Sequence, residues 1–93
     1  MRHACSMAQI YGIGMVSVKH SNHFGMSAWV VEQAIKEGMM SLVFANSSLA
    51  LPVWGGRERV LGGSPIAGGT PGGAGGWDFV LDMAPSVAAR GKV

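Results

Sequence analysis

Apolar and small side chains recur at Ala4, Met7, Ala8 and Tyr11, the spacing of one helical face, and the run ends at Gly12. That pattern predicts a short helix over residues 2–11. Three brief runs differ in character: MVSV (15–18), SLVFA (41–45) and FVL (79–81) are largely apolar and carry β-branched or aromatic residues. Such continuous runs predict strands buried on both faces. Between the first two lies FGMSAWVVEQAIKEG, in which Met26, Trp29, Val30, Ala34 and Ile35 make an apolar stripe opposite Glu32, Lys36 and Glu37, closing at Gly38. Strand, helix, strand at this length predicts a βαβ unit, since parallel strands need a crossover and helices then cover both sheet faces. The predicted fold class is therefore α/β.

From Gly55 to Gly76 the texture changes, with 10 of the chain's 15 glycines and both Pro65 and Pro71 in that stretch, so no long helix fits there. The stretch divides into a loop WGGRERVLGGSP (54–65), a short strand around Ile66-Ala67 and a glycine-rich loop TPGGAGGW (70–77). After Asp82, PSVAARGKV predicts the first turns of another helix, with Pro85 suited to its opening position. Both ends of the chain are thus expected to cut through helices.

Composition changes the picture in one respect. Only 13% of residues are charged, against roughly 25% in ordinary globular proteins, while 48% are hydrophobic. Mean hydropathy is +0.30. A chain of 93 residues leaves much of its surface in water, so this one is expected to be part of a longer chain or a tight oligomer. A net charge of +2, from 7 basic and 5 acidic residues, makes no electrostatic footprint for nucleic acid. A lone Cys5 excludes an internal disulfide framework, and a reducing compartment, the cytoplasm, is the expected location. No apolar run approaches the roughly 18 residues of a membrane span, so no membrane partner is expected. The first acidic residue is Glu32, which gives the amino terminus the acid-poor composition of a transit peptide, but the stretch patterns as folded structure.

The densest chemical cluster is Lys19-His20-Ser21-Asn22-His23-Phe24-Gly25, between the first predicted strand and the helix after it. Ligands of open parallel sheets collect at the carboxyl ends of strands, and an imidazole there can take and return a proton at neutral pH. The plainer alternative has Ser21 or Asn22 capping the helix while His20 and His23 pack or face water. HxxH without further ligands is too little for a metal, and none is expected. No G-x-S-x-G elbow, S-x-x-K, G-x-G-x-x-G or Walker lysine is present, and Cys5 reads as a small packing residue. GGTPGGAGG can cradle a phosphate with backbone N–H groups or serve as a plain connection. Arg57 and Arg59 can hold a carboxylate or phosphate, or be solvated beside Glu58. Asp82, at a predicted strand end, can accept ribose hydroxyls or cap the next helix.

Taken together, GIGMVSVKHSNHFG, VWGGRERVLGGSPIA and VLDMAPSVAARGK resemble the central portion of the type-2 malate/L-lactate dehydrogenase family, whose members include ureidoglycolate, sulfolactate and 2,3-diketogulonate oxidoreductases. The resemblance runs over essentially all 93 residues. It implies a non-Rossmann NAD(P)-binding α/β fold, present in part, and a homodimeric full-length enzyme. That enzyme would use NAD or NADP to transfer a hydride between nicotinamide and C2 of a small 2-hydroxy acid, with the 2-oxo acid as counterpart. By resemblance, His23 in Asn22-His23-Phe24-Gly25 matches the acid/base histidine. Ser47 in Ala45-Asn46-Ser47-Ser48 matches a cofactor-contacting position, and Asp82, Met83 and Ala84 match the DMA cofactor segment. The chain departs from the usual pattern at Gly63-Ser64-Pro65, where many members have Thr-Asn-Pro, at Leu49, often proline, and at Pro85, often threonine. The first departure bears on substrate choice. The family is several times longer, and an upstream Ser-His-Arg substrate segment and later cofactor contacts are not in these residues. Residues 1–93 are therefore expected to be the central part of a single oxidoreductase domain, truncated at both ends and inactive alone. The alternative is a non-catalytic nucleotide-binding or dimer-interface remnant of the family.

Overall fold

The computed structural model describes residues 1–86. Its elements are helix α1 (Arg2–Tyr11), helix α2 (Ser27–Lys36) and strands β1 (Ser41–Phe44), β2 (Ile66–Thr70) and β3 (Phe79–Met83). Helix α1 ends as its sequence predicts: Gly12 takes a left-handed conformation (φ 84) and donates its N–H to the Ala8 carbonyl. Helix α2 closes similarly, with Gly38 N–H donating to the Ile35 carbonyl and Met39 N–H to that of Ala34.

The three strands form one sheet in the order β1-β2-β3, and both pairs are antiparallel. This corrects the predicted βαβ unit. The crossover helix exists, but Met15–Val18 forms no strand, so the helix has nothing to cross from. A strand needs a neighbour to take up its N–H and C=O groups, and an apolar run without one gains little from extension. Here Met15 and Val18 stay 86% and 72% exposed. The links from β1 to β2 and from β2 to β3 contain no helix, and without a crossover element adjacent strands return antiparallel. The α/β composition stands, while the parallel sheet does not. The strand predicted around Ile66-Ala67 is real and runs on through Gly68 and Gly69, held by ladders on both sides.

The register divides the sheet into two unlike faces. Ser41, Gly69 and Val80 share one face with Val43, Ala67 and Asp82, and α2 lies on it. The core is Val31 and Ile35 of α2 against Ala67, with Val43 packed alongside. Close approach of helix to sheet depends on Gly69: a Cβ there would collide with Val31 Cγ1 and come 2.9 Å from the Phe79 carbonyl oxygen. The buried stripe of α2 is Ser27, Val31, Ala34 and Ile35, one step around the helix from the predicted one. Trp29 and Met26, placed in the stripe by their hydrophobicity, remain 60% and 62% exposed because they project away from the sheet. The other sheet face carries Leu42, Phe44, Ile66, Leu81 and Met83, all exposed. The apolar runs predict strands covered on both faces; a single helix covers only one. The helix predicted to open at Pro85 lies, beyond Ser86, outside the described residues.

Candidate active site

The segment between α1 and α2 carries the histidine cluster. Its backbone turns at His20 (φ 56) and again at Gly25 (φ 92). Within that turn the His23 Nδ1 accepts the Gly25 N–H at 3.0 Å. Nε2, the other ring nitrogen, lies outside that contact on an exposed side chain. Neither Ser21 nor Asn22 caps the helix: the N-cap position is Met26, which has no side-chain acceptor for the purpose.

The capping group arrives from the far end of the chain. Asp82, near the end of β3 and paired with Ala67, accepts the Ala28 N–H on Oδ2 at 2.7 Å. A carboxylate suits that place, since the first-turn N–H groups of a helix are unpaired and its amino end is electropositive. The sequence reads Asp82 as a ribose acceptor or a cap for the next helix, which lies beyond the described residues; the helix start it meets here is that of α2, which precedes it. Met83 completes β3 and Ala84 follows it.

Ser47 sits beyond β1, where the chain meets the return loop. Its Oγ accepts the Ser64 N–H at 3.2 Å. A Cβ at Gly62 would stand 2.7 Å from the Ser47 carbonyl oxygen, so only glycine lets the two segments touch. Ser64 itself holds φ 35, in the left-handed region. The intervening loop is pinned at its base by the Leu51–Leu61 bridge, with Leu51 N–H donating to Leu61 O at 2.9 Å and Leu61 N–H donating back at 2.9 Å. The Gly63-Ser64-Pro65 departure is thus in direct contact with a predicted cofactor position. No periodicity connects residues 17 apart in irregular chain, which is why the sequence carries no sign of this pairing.

His23, Ser47, Asp82, Met83 and Ala84 all border one broad trough, which about half of the described residues line and which reaches both faces of the sheet, with a volume of about 2520 Å³. That is well beyond the roughly 300–1,000 Å³ of a closed small-molecule site, so the trough is open to solvent. Lys19 and Arg59 line it as well, whereas Arg57 does not. Residue type cannot separate the two arginines; their places relative to the bridged loop base do. The glycine-rich loop is elsewhere. Its Gly72 N–H donates to Asp78 Oδ1 at 2.9 Å and its Gly76 N–H to the Gly73 carbonyl, so the loop turns on itself and holds its own carboxylate rather than facing the trough. Cys5 is buried in α1. Among the described residues no group of three or more His, Cys, Asp or Glu could hold a metal ion. No helix among them is long and apolar enough to cross a membrane.

Known proteins match this chain along its whole length. The family model described as malate/L-lactate dehydrogenase covers residues 1–93. A malate dehydrogenase of Pyrococcus abyssi is 41% identical over 93 residues, all of this chain and 25% of the relative. A (2R)-3-sulfolactate dehydrogenase (NADP(+)) of Chromohalobacter salexigens is 37% identical over 91 residues, 97% of this chain and 27% of the relative. A ureidoglycolate dehydrogenase (NAD(+)) of Escherichia coli is 33% identical over 93 residues, all of this chain and 26% of the relative. Among solved structures, malate dehydrogenase from Pyrococcus horikoshii OT3 superposes with a TM-score of 0.85 at 40% identity, over 98% of this chain and 26% of that one. The chain thus spans about a quarter of the length of the relatives it matches.

Proposed function

The chain belongs to the malate/L-lactate dehydrogenase family, and on that basis we propose that it supplies the proton-transfer group and part of the cofactor site of an NAD(P)-dependent oxidoreductase acting on a small 2-hydroxy acid. The observation that supports this reading is the Asp82–Ala28 hydrogen bond, which joins the strand end carrying Asp82, Met83 and Ala84 to the helix that follows the His23 turn. The donor set fits a dinucleotide. Ser47 offers a hydroxyl, Asp82 a carboxylate for ribose hydroxyls, and Met83-Ala84 backbone groups at the end of β3. Names of relatives include both NAD(+) and NADP(+) forms, which supports a nicotinamide dinucleotide of either kind here.

When bound, the nicotinamide cofactor takes or gives the hydride; the protein positions both partners and manages the hydroxyl proton. His23 is the group for that proton. In the arrangement seen, Nδ1 is engaged by the Gly25 N–H and Nε2 is the ring nitrogen outside that contact. To accept a hydroxyl proton on Nε2, the neutral ring must first carry its proton on Nδ1, which requires the Gly25 contact to open. Arg59 and Lys19, on the same trough, are the cations available to a substrate carboxylate. The family resemblance implies a homodimer for the whole enzyme, and the lone cysteine of these residues suits a reducing compartment such as the cytoplasm.

The test is substitution of His23 in the naturally encoded protein, assayed with NAD and NADP on malate, lactate and sulfolactate. His23→Ala is expected to lower kcat by about 10²- to 10⁴-fold with little change in cofactor affinity. Turnover within a few-fold of wild type would move the role to another group, His20 or Lys19 first. The second reading, a nucleotide-binding or interface unit without chemistry, draws on the uncovered sheet face. NAD(H) binding without turnover under any of these substrates would favour it.

A further inference from the structure

We propose that Asp82 is a positioning residue for His23, acting through helix α2, in addition to any contact it makes with the cofactor. The inference rests on the reading of His23 as the proton-transfer group. Its physical basis is a single clamp across the chain: Asp82 Oδ2 accepts the Ala28 N–H at 2.7 Å, joining residues 54 apart in sequence. Ala28 is in the first turn of α2, and only Met26 and Ser27 separate it from Gly25, the left-handed residue that closes the His23 turn. The loop that carries His23 has no side-chain cap of its own at the helix start. Its other tie to the sheet runs through the body of α2, where Val31 and Ile35 pack on Ala67.

The clamp places three things in one mechanical unit: the amino end of α2, the His23 turn and the strand end bearing Met83-Ala84. A carboxylate has two oxygens. Oδ2 is spent on the helix, and Oδ1 remains for a hydroxyl of the nucleotide, so one side chain can register the histidine against the bound cofactor. Losing the carboxylate frees the first turn of α2, where an unpaired N–H reverts to water, and lets the His23 turn drift from the sheet edge. Asparagine caps helices about as well as aspartate, and in Asp82→Asn the side-chain amide oxygen can take the place of Oδ2.

The experiment compares Asp82→Ala and Asp82→Asn in the naturally encoded protein, by amide hydrogen exchange over residues 19–30 and by separate kcat and KM values. Asp82→Ala is expected to speed exchange at the α2 start about tenfold, the scale of a lost helix cap, and to lower kcat, while exchange in β1 and β2 holds. Asp82→Asn should restore both exchange and kcat, yet keep a raised KM for NAD(P), because an amide is the poorer acceptor for ribose hydroxyls. Unchanged exchange over 19–30 in a folded Asp82→Ala protein overturns the proposal. So does a global loss of protection in Asp82→Ala, which would make the carboxylate a support of the whole domain, and so does failure of Asp82→Asn to restore kcat. If His23→Ala leaves turnover intact while Asp82→Ala still loosens residues 19–30, the fault lies in the assignment of His23 and not in the clamp.

Discussion

Among single residues, Ser47 shows how a proposed cofactor contact depends on a neighbour that touches no ligand. Its Oγ accepts the Ser64 N–H, and it lies against Gly62, where a methyl group would meet the Ser47 carbonyl oxygen at 2.7 Å. Backbone cannot yield as a flexible side chain can, so Gly62→Ala should push Ser47 out of place. The expected result is a KM for NAD(P) raised several-fold with the KM for the hydroxy acid nearly unchanged, read from steady-state kinetics at saturating co-substrate. A rise confined to the hydroxy acid would show that Ser47 serves the other side of the trough. The contact is invisible to local pattern, and the same holds around His23. The histidine stands out as a candidate because an imidazole in a polar turn ahead of a helix is chemically conspicuous, while its acid/base role is what the family resemblance implies. What fixes it does not stand out: the Gly25 N–H on Nδ1 and the Asp82 carboxylate on Ala28 arise from a backbone turn and from the tertiary return of the chain. Sequence logic looks for the α2 cap among near neighbours, Ser21 and Asn22, because caps are usually local; the fold fills the position from β3.

For the helices and strands, periodicity and residue type foretell both helices and the outer two strands, and glycines foretell where the helices end. Strand pairing is different, because a strand's partner is chosen by the whole fold, and MVSV and SLVFA look alike until one finds a neighbour and the other does not. The second strand is the hardest to see, since Gly68 and Gly69 have little intrinsic preference for extension. At Gly69 the requirement comes from α2, which needs the room. This residue can therefore be used to measure how much the helix-on-sheet contact contributes. Gly69→Ala places a methyl group against Val31, 3.0 Å from Ile35 Cδ1 and 2.9 Å from the Phe79 carbonyl oxygen. Two of those neighbours are side chains that can shift, while the third is backbone in the adjacent strand. Overpacking of this kind costs about 1–3 kcal/mol. Urea or thermal unfolding of the naturally encoded protein should register a loss in that range. A variant as stable as wild type would mean that α2 does not seat on β2 as closely as described.

Taken as one body, the described residues do not make a compact unit. Their radius of gyration is 15.7 Å, against about 12 Å for a compact domain of this length, and the accessible surface of 7750 Å² exceeds the roughly 5,100 Å² of a compact protein of that mass. The buried hydrophobic residues described are Cys5, Val31, Ala34, Ile35 and Ala67, a small core for the entropy of ordering so long a chain. Trp54 and Trp77 are essentially fully exposed, and Leu42, Phe44, Phe79, Leu81 and Met83 line a sheet face that no described element covers. Among the described residues β1 and β3 are the edge strands of the sheet, and open edges invite pairing with other chains. Expressed alone, these residues are expected to be poorly soluble and without dehydrogenase activity. Solubility fails because an apolar face and two free edges outweigh the 12 charges the chain carries, which give little mutual repulsion. Activity fails for a separate reason. Hydride transfer needs both reactants held close and aligned, a contribution of roughly 7–11 kcal/mol in favourable cases, and an open trough holds neither. Sedimentation of the purified chain, together with NAD(P)-linked oxidation of malate and lactate, decides both points. A soluble monomer that turns over would show that the trough closes around its ligands unaided and that the exposed sheet face needs no cover.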